Sequence, residues 1–172
     1  MREGMGESSR SAYGRLGTST HHKRWVLVFC LWVAFVWGHS LVQGPESSLE
    51  SSRVVAIVAP LLNALGISGE AAMSFAVRKT AHFLEYTVLG ALSVPALLLP
   101  AREGRYPRWL DPLAVALVPA ADEAIQRFVP GRESSPRDVL IDLCGVAAGT
   151  LVALLVSRQR ARRRARDTAS QS

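Results

Sequence analysis

Cysteine is nearly absent from the chain, with Cys30 and Cys144 the two examples in 172 residues. They fall in different apolar runs and have no metal-ligand spacing, so they are expected to be buried, reduced thiols packing as small hydrophobes. Also missing are a serine nucleophile elbow, an H-E-x-x-H helix and any nucleic-acid-binding motif. The first two absences remove the familiar hydrolase and zinc-protease signatures. The third leaves the net charge of +6 to be explained by something other than DNA or RNA. A basic chain with long apolar runs more often carries its Lys and Arg as a topological bias across a membrane.

The apolar residues, 49% of the chain, are gathered into four runs between polar, basic ends. The expected fold class is all-α: a polytopic membrane protein, a bundle of about four transmembrane helices plus a short interfacial or re-entrant helix. Residues 1–24 read as a disordered basic tail, 25–156 as the membrane domain, and 157–172 as a basic cytoplasmic tail. The first span is Trp25 to Val42, close to the minimum length for crossing a bilayer. Its aromatic richness and the lack of a clean small-x-small cleavage site favour a retained helix over a signal peptide. Residues 43–77 read as a connector. Within it the 53–65 run is too short to span and is interrupted by Pro60. The second span runs from about Val77 to Pro100, the third from Leu110 to Val129 with a bend expected at Pro119, and the fourth from Pro136 to Val156.

Four spans put both termini on one side. The N-terminal tail holds five Lys or Arg, the 101–108 loop three and the C-terminal tail six, together 14 of the 20. Positive residues stay inside, so the expected location is the inner or plasma membrane, multi-pass, with both termini cytoplasmic. The Arg-rich end then serves topology and contact with anionic lipid.

Charged residues nevertheless interrupt the spans. On the second, Arg78, Lys79, His82, Glu85 and Tyr86 fall in the front half, with Arg78, His82 and Glu85 sharing one helix face. The third carries Asp122, Glu123 and Gln126, and the fourth Asp138 and Asp142, four apart. At 1.5 Å per residue, Glu85, Asp122, Glu123 and Asp142 all lie about 10 Å below the outer end of their helices. Ionisable groups at that depth face a partner or a wet cavity. Two readings stay open: a balanced ion-pair network locking the helices, with five acids against Arg78, Lys79, Arg127, Arg132 and Arg137, or a cavity open to the outer face. Arg132, just after the Pro130-Gly131 turn, is the expected bridge over its mouth. Gly145 and Gly149, four apart, permit close helix packing.

These residues also carry a pattern. The segments VRKTAHFLEYTVLGAL and ADEAIQRFVPGRESSPRDVLIDLCGVAAG resemble the VanZ-like family of bacterial membrane proteins, which are similar to the teicoplanin-resistance protein. The resemblance rests on Arg78, Lys79, His82, Phe83, Glu85, Tyr86, Leu89 and Gly90, on Asp122, Glu123, Gln126, Phe128, Pro130, Gly131 and Arg132, and on Asp138, Asp142 and Gly145. It implies an envelope protein with a link to glycopeptide resistance, and it carries over no catalytic residue. The expected partners are membrane lipids and a lipid-linked or cell-wall-related polar group bound in an outward-facing cavity, with no nucleic acid, and the oligomeric state is left open. The alternative is a membrane-embedded acid/base or metal-dependent enzyme acting on an envelope substrate, with His82, Glu85, Asp122 and Glu123 as its acid, base or ligand groups. No cofactor is called for and no metal ligand set is assigned, since one His does not suit a structural zinc centre.

Overall fold

The computed structural model describes residues 6–41, 44–130 and 135–170, with side chains from residue 21 onward except 42–51 and 131–134. All regular structure among them is helical: α1 (Gly6–Ser40), α2 (Gly44–Ala64), α3 (Glu70–Ser93), a π-helical turn (Val94–Leu98), α4 (Leu99–Arg102), α5 (Leu110–Gln126) and α6 (Pro136–Ala169). From Gly6 onward the tail expected to be disordered is helical. Once the apolar segment of α1 has met the cost of nucleation, each further residue adds a hydrogen bond cheaply. The same economy carries α6 through the Ala- and Arg-rich end to Ala169. The 53–65 run likewise proves to be the end of a longer helix, since α2 begins at Gly44 and continues through Pro60.

Local chemistry sets the breaks. At the end of α2, Gly66 takes φ 80°, the Ile67 N–H donates to the Leu62 carbonyl and the Gly66 N–H to that of Asn63, the paired bonds of a Schellman cap. Gly104, at φ 79°, repeats the motif after α4, with Arg105 donating to Pro100 and Gly104 to Ala101. At the start of α6, Pro136 occupies the first turn and the Ser135 hydroxyl accepts from the Arg137 N–H at 3.2 Å. Pro119 sits inside α5 without ending it. A departure from α geometry falls at Pro95. Pro95 has no N–H and its ring crowds the carbonyl four residues back, and the chain widens there into a π turn closed by Leu99 N–H to Val94 O.

α3 packs most extensively against α6, and α1 and α5 close on that pair. Glycine sets the spacing. A Cβ at Gly149 would fall on the Thr87 carbonyl, one at Gly90 on the Val146 carbonyl, and one at Gly145 within 2.5 Å of the Phe83 carbonyl. The Thr150 hydroxyl then reaches the Gly90 carbonyl at 3.2 Å. These contacts advance together along both helices, so α3 and α6 run parallel. α1 is tied in by its indoles: Trp32 donates to the Glu85 carbonyl at 3.0 Å and Trp37 to the Val118 carbonyl at 3.3 Å. At the opposite end from the acids, Tyr106 hydrogen-bonds His22, so the basic shoulder of α1 and the 101–108 loop share one side.

An apolar cluster that includes Val36, Leu89 and Val118 packs the interior, with polar groups buried as well. Ser40, Asp122, Glu123, Gln126, Asp138 and Asp142 are buried, while Leu31, Phe35, Leu84, Leu117, Leu140 and Leu151 are more than half exposed. Both cysteines are exposed as well, contrary to the expectation of burial, because they lie on this apolar outer surface. Two helical stretches, Glu70–Arg102 and Pro136–Ala169, are long and apolar enough to cross a membrane, and their apolar windows are only 39% and 22% buried. Soluble core helices would be mostly enclosed, whereas so exposed an apolar surface suits lipid. At 17 residues, α5 is about 26 Å long, slightly short of a bilayer's hydrocarbon thickness.

Candidate functional site

Side chains from α3 and α6 meet in two rungs at the end opposite the His22–Tyr106 contact. Lys79 and His82 are three apart on α3, and Asp138 and Asp142 four apart on α6, so each pair projects from one face. The outer rung joins Lys79 Nζ to Asp138 Oδ2 at 2.5 Å, and the inner one brings His82 Nδ1 to 3.7 Å from Asp142 Oδ1. The glycine contacts that begin one turn deeper hold the two backbones close enough for such short side chains to touch. α5 adds Asp122, which is fully buried and accepts from Gln126 Nε2 at 3.0 Å. One ligand-type atom from each of His82, Asp122 and Asp142 lies within 4.8 Å of the other two. Three separate helices supply these groups, and of the residues expected to cluster they are the three whose ligand-type atoms meet.

Two further contacts come from α1. Its His39 Nδ1 meets Glu85 Oε1 at 2.9 Å, and its Ser40 hydroxyl accepts from Gln126 at 3.3 Å. The sequence reading named neither residue among the cluster. Their signal is faint: two polar groups at the end of an otherwise apolar run. Glu85 therefore leans towards α1, whereas His82 of the same helix leans towards α6, so the H-x-x-E pairing does not bring both to one centre. Glu123, also buried, accepts from the Ser135 N–H at 3.1 Å, which fastens the end of α5 to the start of α6.

Of the residues expected in the cluster, Lys79, His82, Tyr86, Asp122, Gln126, Asp138 and Asp142 come together. Arg78 is half-buried and borders a separate hollow with Ser52, Glu70 and Ser74. Arg132, expected to bridge the opening, lies outside the described residues. Arg127 and Arg137, counted as charge partners, are exposed. Of the five bases in the expected network, Lys79 is the one seen paired with an acid of the cluster among the ion pairs described. Asp142 lies in the field of Asp122, Glu123 and Asp138, with Lys79 the base that offsets them. Among the described residues neither carboxylate oxygen of Asp142 has a hydrogen-bond partner, and the fully buried Tyr86 hydroxyl lies against Asp122 in the field of both acids. Buried polar atoms left without partners cost about 1–3 kcal/mol each.

A family model described as VanZ/LLP1 matches residues 25–157. The chain belongs to the VanZ/LLP1 family. The match takes in the helices that supply the cluster and stops where the basic part of α6 begins. For this VanZ-family chain, comparisons with curated proteins and with solved structures found no match. Membership accords with a membrane protein and with the motif segments read from the sequence, and it names no ligand.

Proposed function

We propose that this VanZ-family protein crosses the inner membrane four times, with both ends cytoplasmic, and binds the polar headgroup of a lipid-linked envelope molecule in a cavity open to the outer face. The observation that carries the reading is the pair of rungs Lys79–Asp138 and His82–Asp142 inside an apolar shell. Lys79 stands in the outer rung, 23% exposed, where an ammonium can meet anionic oxygens. The carboxylates further in accept from sugar or amine donors. A headgroup held here would sit beside lipid, with its acyl or prenyl tail along the exposed leucines. A contribution to teicoplanin resistance would follow from sequestering or altering such an envelope component.

Purified protein in nanodiscs tests the binding, with a polyprenyl phosphate as probe. The expected result is saturable binding that weakens at least tenfold when both charges of the outer rung are removed (Lys79→Gln with Asp138→Asn). Binding unchanged by that pair, or none to the wild type, rules the reading out. Topology has its own check. A Cys at Ser135 should be labelled by an impermeant reagent from outside, and one at Arg105 or Ser170 should not. Outside labelling at Arg105 would overturn the four-span arrangement.

A further inference from the structure

We infer that His82, Asp122 and Asp142 form a binding site for one divalent transition-metal ion of the manganese or zinc class. The donor set is one imidazole nitrogen and two carboxylates from three helices, their ligand atoms mutually within 4.8 Å. With metal–ligand bonds of about 2.1 Å, the 3.7 Å between His82 Nδ1 and Asp142 Oδ1 spans an angle of about 120° at an ion between them. The charge agrees as well. Two carboxylates, 0% and 1% exposed, balance a 2+ ion, and the nearest Lys is engaged by Asp138.

A second observation points the same way from outside the donor set. The Tyr86 hydroxyl is fully buried, lies against the ligand carboxylate Asp122 and sits in the field of Asp142. Beside an ion it is placed to donate to a metal-bound water or carboxylate oxygen, the kind of outer contact that orients ligands. The mixed nitrogen and oxygen set disfavours Mg²⁺ and Ca²⁺, which prefer oxygen alone. An ion would also explain why Asp142 stays buried with neither oxygen hydrogen-bonded among the described residues.

This site deepens the headgroup reading, because an ion below Lys79 would offer a second attachment for an anionic oxygen. The test separates the two. Chelator-stripped protein in nanodiscs is titrated with Mn²⁺ and Zn²⁺ by equilibrium dialysis, and the Mn²⁺ form is examined by electron spin echo spectroscopy. One ion per chain is expected, with a nitrogen coupling from a single imidazole. Affinity should fall at least tenfold in His82→Gln and in Asp142→Asn, and stay unchanged in Glu103→Gln on the far loop. The wild-type spectrum decides even if a variant fails to fold. No stoichiometric ion, or a bound ion without imidazole coupling, overturns the site. Lipid binding without metal removes the ion alone, and metal binding without lipid removes the headgroup reading alone.

Discussion

Replacing Lys79 with methionine is expected to destabilise the folded protein by about 3–5 kcal/mol, the usual cost of leaving one member of a buried ion pair behind. The partner left is Asp138, whose side chain is 12% exposed and 2.5 Å from the ammonium. Asp142, one turn deeper, is already surrounded by acids, so the loss of Lys79 removes a charge that serves both rungs. Removing the partner too should recover most of the loss. The double variant Lys79→Met with Asp138→Leu is expected near wild-type stability, because an apolar pair of similar volume often replaces a buried ion pair at little cost. Reversible unfolding in detergent gives the four corners of the cycle, and a coupling below about 0.5 kcal/mol, the usual additivity error, would show that the rung is not a buried pair. If the double variant is stable but no longer binds the envelope headgroup, the rung is there for recognition and not for holding α3 to α6.

The second large effect is expected at the glycines. Gly149→Ala places a methyl on the Thr87 carbonyl and Gly90→Ala one on the Val146 carbonyl. Backbone cannot swing away as a side chain can, so the helices must separate. Each substitution should cost about 3 kcal/mol, the upper end of the ordinary range for overpacking. Both act on the same α3–α6 contact, so the double variant should cost clearly less than the sum: once the helices are apart, the second methyl meets open space. Gly38 provides the contrast. Nothing lies within 4 Å of its virtual Cβ, and Gly38→Ala is expected to be neutral or stabilising through helix propensity alone. Separation of α3 and α6 would also part His82 from Asp142, so Gly149→Ala should lose metal binding without changing a ligand.

Much of the helical layout was legible because it follows from residue spacing. The offset of Asp138 and Asp142 places them on a single face, and the depths of Asp122 and Asp142 put them at one level. The packing glycines Gly145 and Gly149 were visible for the same reason. What spacing does not give is how each helix is rotated against its neighbours. Arg127 and Arg137 are exposed, which a count of charges along the sequence does not reveal. Glu85 shares a face with His82 on paper, yet the two are three residues, about 60° of rotation, apart, enough for one to meet α1 and the other α6. His39 and Ser40 were passed over because a polar residue at the end of an apolar run looks like the edge of the membrane. The turn at Pro95 was missed because proline says that a bond is lost, not whether the chain kinks, breaks or widens.

Chemical access to Lys79 tests the central claim most directly, that these helices surround a polar site open to the outer face. Cys30 and Cys144 are first replaced with alanine, and Lys79→Cys is then introduced in intact cells or right-side-out vesicles. An impermeant, charged methanethiosulfonate reagent added outside should modify Lys79→Cys, and a bound polyprenyl phosphate should slow that reaction. A cysteine at Leu84, on the apolar outer surface of the same helix, should stay unmodified. Modification of Lys79→Cys only from the cytoplasmic side, or equal reactivity at Leu84, would contradict an outward-facing site at this end of the bundle.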